Sequence, residues 1–115
     1  MLAQHVVLSD PAYAGRHAAL RLPVEPEWAR SNWQSFPLFV RDASPLDQRR
    51  ILQALMDAGV GARRGVHNAH QEPAYSVRGN WTAGPGGLPI SEQLRDTTVV
   101  IPLFHGMTAA EQDRV

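Results

Sequence analysis

The stretch from Ser44 to Gly59 constrains this sequence most, because its residues leave little choice but a helix. Ser44 reads as the cap, Pro45 as the first helical position, and Asp47 as the acid of a Ser-x-x-Asp capping box. Ile51, Leu52, Leu55 and Met56 recur at helical spacing and form one apolar stripe, with Asp47, Arg50 and Asp57 on the solvated face. Gly59 supplies the left-handed stop. A helix with one apolar stripe must bury it against a second layer, and the flanking residues read as strands. In Trp33 to Val40, the residues Phe36, Leu38 and Val40 share one face while Trp33 and Phe39 take the other. Pro37 cannot donate to a ladder, which predicts an edge or an irregularity there. Val60 to Val66 reads as a second short strand, interrupted by Arg63 and Arg64.

The rest of the chain repeats this alternation. A loop is expected from His67 to Pro89, with Gly84-Pro85-Gly86-Gly87 as an irregular segment. Ile90 to about Thr97 forms a short helix, and Val99 to Leu103 is a strand apolar enough to be covered on both faces. Thr108-Ala109-Ala110-Glu111 is a second capping box, opening a helix that the sequence carries for about two turns to Val115. That reads as an element cut short. Asp10 and Pro11 suit the start of a helix running to about Leu20, and Leu22 to Pro26 is too rich in proline to be anything but an extended connector. Residues 1–30 are thus an entry helix and connector, and 31–115 one small domain. The fold class is α+β, a small sheet of three or four strands with helices packed on it.

Composition narrows function. The 115 residues suit one domain. A formal net charge of zero argues against a nucleic-acid binder, which usually carries a basic excess. No cysteine is present, so disulfides and thiolate metal sites are excluded. No apolar run approaches the roughly 20 residues of a membrane helix, and the first ten residues lack the pattern of a secretory signal; the expectation is a cytoplasmic protein without membrane contact. All 11 Lys/Arg positions are arginine. Schiff-base chemistry on a carbonyl cofactor needs a lysine amine, and none exists here.

Several runs carry a resemblance. They are Ser31-Asn32-Trp33-Gln34-Ser35-Phe36, the stretch Ile51 to Gly61 with its Met-x-x-Gly-Val-Gly ending, and Ala62-Arg63-Arg64-Gly65-Val66. They continue with His70-Gln71-Glu72-Pro73-Ala74-Tyr75, Leu88-Pro89-Ile90-Ser91-Glu92, and Val100-Ile101-Pro102-Leu103-Phe104-His105-Gly106-Met107-Thr108. In this order and spacing, over about residues 28–115, they resemble the C-terminal small domain of the DegT/DnrJ/StrS sugar aminotransferases. The resemblance implies the small domain of a fold-type I, pyridoxal-phosphate-dependent homodimer. Such enzymes move an amino group, usually from glutamate, to a keto-sugar on a nucleotide, in polysaccharide or amino-sugar biosynthesis. It further implies that the cofactor lysine, the partner of the pyridine nitrogen and the phosphate-binding residues lie in a large domain. The small domain covers the active-site mouth and supplies part of the sugar-nucleotide pocket. By this reading the chain is a substrate-capping piece, inactive alone, whose partners are a nucleotide sugar and a chain bearing the cofactor domain. A standalone nucleotide-sugar-binding or regulatory module and a nonfunctional remnant are the alternatives.

The candidate substrate residues are Arg63, His67, Arg64 and His70. Arginine's planar fork suits phosphate or carboxylate. Neighbours on a strand point to opposite faces, so at most one of Arg63 and Arg64 faces a pocket, and Arg63 is preferred. The resemblance implies that the histidine stretch lines the sugar site; His67 is the preferred substrate-side candidate, and His70, also a candidate, reads first as a hydrogen-bonded loop residue. Two histidines without a third ligand do not make a metal site. Trp81 either covers a base or anchors its loop, Tyr75 is expected to pack on the domain, and Gly84 to Gly87 lacks the Lys-Ser/Thr of a phosphate loop.

Overall fold

The computed structural model describes residues 19–76 and 81–115. Four strands, β1 (Leu20–Arg21), β2 (Phe36–Val40), β3 (Arg63–Arg64) and β4 (Thr98–Ile101), form one antiparallel sheet in the order β1-β2-β4-β3. The helices are α1 (Gln48–Asp57), α2 (Pro73–Ser76), α3 (Pro89–Thr97) and α4 (Ala109–Arg114), with a 3-10 turn at Ala69–Gln71. The architecture is α+β, as expected. α1 packs against β3 and β4, and α3 against β2.

Register explains the core. Phe36 pairs with Ile101 and Leu38 with Val99, while Val40 pairs with Leu20. Directly opposed residues share a face, so one face carries Phe36, Leu38, Val40 and Val99. Phe36, Val40 and Val99 are buried, and Val99 is nearly inaccessible at 1% exposure. The other face carries Pro37, Phe39, Thr98 and Val100, of which Thr98 and Val100 are buried. β4 is therefore covered on both faces, which its unbroken apolar run required. Arg21 lies on this second face with its guanidinium 4.7 Å from the centre of the Phe39 ring. Pro37 falls beyond the two residues that β1 covers, so it sits where β2 is paired on one side only.

Several expectations need correction. α1 starts later than its capping signals suggest: Asp47 is the N-cap, its carboxylate accepting from Arg50 N at 2.8 Å. Ser44 instead closes a local turn, its hydroxyl donating to Leu46 O at 2.7 Å. Met56 is 63% exposed, so the inward stripe is the half-buried Ile51, Leu52 and Leu55, with Gln48 at 5% exposure its one buried member. Trp33 lies outside β2 with a left-handed φ of 51°, and the strand expected over Val60 to Val66 pairs only at Arg63 and Arg64. The expected loop after His67 contains the 3-10 turn and α2. Tyr75 is 46% exposed and is not a packing anchor. The helix expected from Asp10 lies outside the described residues, except that Leu20, its expected end, opens β1.

The ends of α1 and α4 follow their sequences closely. Val60 N donates to Leu55 O at 2.8 Å and Gly59 N to Met56 O at 2.9 Å, with Gly59 at φ 74°. That double closure is a Schellman motif, and the buried Val60 completes it. At α4, the Thr108 hydroxyl accepts from Glu111 N while the Glu111 carboxylate accepts from Thr108 N at 2.8 Å, a complete capping box.

Candidate functional site

β3 decides where the two arginines go. Arg63 pairs with Val100 and Arg64 with Val99, so they emerge on opposite faces. Arg64 is half-buried on the face of Phe36, Val40 and Val99. Arg63 is exposed and lines a cleft of about 350 Å3 with Gln34, Ser35, Val100, Pro102 and Leu103. Its Nη1 donates to Arg64 O at 3.2 Å, which leaves further N–H groups of the fork for an anionic ligand. Gly65 holds β3 in place. Its N–H donates to Thr98 O at 2.9 Å, and a Cβ there would sit 2.3 Å from Thr98 Cγ2, so only glycine permits this approach.

The histidines lie elsewhere. The lining of the Arg63 cleft includes neither Arg64, His67 nor His70. His67 is exposed. The His70 side chain is 10% exposed, with Nε2 3.0 Å from Glu92 Oε1 on α3 and the Trp81 ring 5.0 Å from its own, tilted at 52°. Next to it, buried Asn68 donates from Nδ2 to Gln71 Oε1 at 3.0 Å and accepts from the Ser91 hydroxyl at 2.7 Å. Ser91 and Glu92 thus tie the 67–71 segment to α3 at two adjacent points, and Trp81 shields the histidine. Arg63 and His70 occupy separate surroundings, one open to a cleft and one committed to internal bonds.

Sequence reasoning missed Asn68 and Gln48, both buried amides. Gln48 donates from Nε2 to Arg95 O at 2.8 Å and to Thr98 O at 2.7 Å, tying α1 to the junction of α3 and β4. A glutamine on the apolar stripe of α1 was the only signal available. Among the described residues no group of three or more His, Asp or Glu side chains could hold a metal ion, and no helix is long and apolar enough to cross a membrane.

The profile of the DegT/DnrJ/EryC1/StrS aminotransferase family matches residues 11–115. The chain belongs to that family. No curated protein gives a significant sequence match. Among solved structures, a DegT DnrJ EryC1 StrS aminotransferase from Brucella abortus is 22% identical with a TM-score of 0.68, covering 98% of this chain and 31% of its own. The aminotransferase TlmJ from Streptoalloteichus hindustanus is 18% identical with a TM-score of 0.71, covering 97% of this chain and 28% of its own. The sugar aminotransferase CalS13 from Micromonospora echinospora is 18% identical with a TM-score of 0.67, covering 97% of this chain and 27% of its own. These likenesses establish the shared fold. The chain spans less than a third of the length of each of these three aminotransferases.

Aminotransferases of this family generally depend on pyridoxal phosphate, and the side chains of this family member do not fit its covalent attachment. An internal aldimine requires a lysine ε-amine, and the sequence holds no lysine.

Proposed function

We propose that this chain is the C-terminal small domain of a sugar aminotransferase, covering the mouth of an active site whose lysine is carried outside these 115 residues. One observation carries the reading: a family match over residues 11–115 in a sequence with no lysine. The substrate would be a keto-sugar on a nucleotide, with pyridoxal phosphate held by the lysine-bearing part and the chain inactive alone, in the cytoplasm. Arg63 is the residue assigned to the ligand, because its exposed fork lines a cleft and suits a phosphate. Arg64 and His67 are secondary candidates on adjoining segments. His70 acts by position, holding the 67–71 segment on α3 through Glu92.

The test combines trapping with turnover. The full chain is incubated with pyridoxal phosphate, reduced with borohydride and analysed by peptide mass spectrometry, and in parallel assayed with glutamate and a nucleoside-diphosphate keto-sugar. No side-chain adduct and no amino-sugar product are expected, with the α-amino group of Met1 the only primary amine available to label. Amino-sugar formation by the chain alone would refute the assignment.

A further inference from the structure

A second cleft, of about 340 Å3, lies next to the Arg63 cleft, between the turn that ends α1 and the residues of α4. Gly61 and Pro102 line both. Its volume is at the low end of the roughly 300–1,000 Å3 typical of small-molecule sites, which suits one compact molecule.

The lining combines apolar surface with one charged side chain of each sign. Val60 is buried, and Pro102, Met107 and the exposed Phe104 ring extend its apolar surface. Arg114 is the cation and Glu111 the anion. Three residues apart on one helix, these two are neighbours, yet they do not pair. Among the described residues Arg114 meets no carboxylate at ion-pair distance, neither that of Glu111 nor the terminus at Val115, which also lines the cleft.

Each charge is instead anchored by neutral groups, and each keeps part of its bonding capacity. Arg114 Nη2 donates to Ala58 O at the end of α1 at 3.1 Å, which leaves the Nε and Nη1 donors. Gly59 allows this reach, since a Cβ there would sit 3.2 Å from Arg114 Nη2. Glu111 Oε2 accepts from Thr108 N at 2.8 Å and from the Thr108 hydroxyl at 2.7 Å, which leaves Oε1. The same two bonds hold the Glu111 carboxyl below its ordinary range and so keep it ionised. A fixed donor fork and a fixed acceptor therefore stand beside apolar surface before any ligand arrives, which lowers the ordering cost of binding.

We infer that this cleft binds a free α-amino acid with an apolar side chain, its carboxylate on Arg114, its ammonium on Glu111 Oε1 and its side chain against Val60, Phe104 and Met107. A zwitterion matches the neighbouring opposite charges, whereas a simple anion would face Glu111 and a simple cation would face Arg114. Glutamate fits poorly, because the lining holds no second cation for its side-chain carboxylate and an unpaired charge is costly to desolvate. The site is thus distinct in chemistry from one for an acidic amino donor.

Titration of the full isotope-labelled chain with L-leucine, L-glutamate, isocaproate and isoamylamine, followed by heteronuclear NMR, tests this. Leucine is expected to shift Val60, Gly61 and Phe104 to saturation. Isocaproate, which is leucine without its amine, and isoamylamine, which lacks the carboxylate, should each bind at least about tenfold more weakly, the loss of one hydrogen bond to a charged group; glutamate should also bind more weakly than leucine. Arg114→Gln and Glu111→Gln should each weaken leucine by at least about tenfold, and glutamine at 111 retains the capping box. Arg50→Gln, the same change of charge on the exposed face of α1, should alter nothing. No saturable shift with leucine, isocaproate or glutamate binding as tightly as leucine, or unchanged leucine affinity in either cleft variant would each overturn the site.

Discussion

Thr98 is where the layers of this molecule meet, through one carbonyl oxygen. Thr98 O accepts from Gln48 Nε2 of α1 and from Gly65 N beside β3, while its side chain fills the space that Gly65 leaves open. Three predictions follow from that crowding. Gln48→Leu keeps the volume but removes the donor to Arg95 O and Thr98 O, and should destabilise the fold by about 1–3 kcal/mol in urea denaturation. Gly65→Ala forces a Cβ against Thr98 and should cost a similar ~1–3 kcal/mol, as overpacking does, partly relieved when Thr98→Ala is added. Thr98 Oγ1 is buried with no hydrogen-bond partner, so Thr98→Val should be neutral or stabilising by up to about 1 kcal/mol, because an orphaned hydroxyl gives way to a methyl group. Little of this was legible in advance. Gln48 reads as a polar residue on an apolar stripe, and its partners lie 47 and 50 residues away. A bond of that span has no local signal. The opposite faces of Arg63 and Arg64 were legible, because strand alternation is local geometry.

At the scale of elements, the ends of helices were the most readable part, since a cap is written within four or five adjacent residues. Gly59 and the Thr108–Glu111 box behave as their sequences suggest. The start of α1 shows the limit: Ser44, Asp47 and Pro45 offer two registers, and the one that keeps Gln48 within reach of Thr98 O is the one the fold adopts. Short strands were harder. β1 and β3 are two residues each and exist only because β2 and β4 pair with them. The capping box of α4 has a pH signature. Hydrogen bonds from Thr108 N and then the Thr108 hydroxyl hold the Glu111 carboxyl below its ordinary 4.5. A carboxyl lowered by folding stabilises the folded form above the ordinary value, and that contribution is lost as pH falls through the folded value. The amide signals of Ala109 to Arg114 should therefore move toward unfolded positions in acid below about pH 4.5, and Glu111→Gln should abolish that titration while Glu92→Gln leaves it in place.

Across the whole molecule, the family was legible because its runs keep their order over most of the chain, and the fold followed from the alternation of strands and helices. The Arg63 cleft was not legible. Gln34 and Ser35 are about seventy residues from Pro102 and Leu103 in sequence, and only the antiparallel pairing of β2 with β4 puts them side by side. The same view shows large apolar side chains left in water: Val24 at 83%, Trp28 at 87%, Ile90 at 67% and Met56 at 63%. Exposed apolar surface of this kind marks interaction sites or aggregation liabilities. The isolated chain should bind a hydrophobic dye such as ANS while still folded, and Trp28→Ser should lower the signal without lowering the unfolding midpoint.

On the function proposed above, the β2–β4 end of the sheet, with Arg63, faces the substrate, and no lysine in this sequence can hold the cofactor covalently. The most direct measurement is a heteronuclear NMR titration of the full 15N-labelled chain with UDP-glucose and TDP-glucose. A dispersed spectrum in which one nucleotide sugar shifts Gln34, Arg63 and Leu103 together, with His70 and Glu92 unmoved, is the predicted result. Absence of shifts at saturating nucleotide sugar, or shifts centred on His70 and Trp81 with Arg63 unaffected, would contradict it.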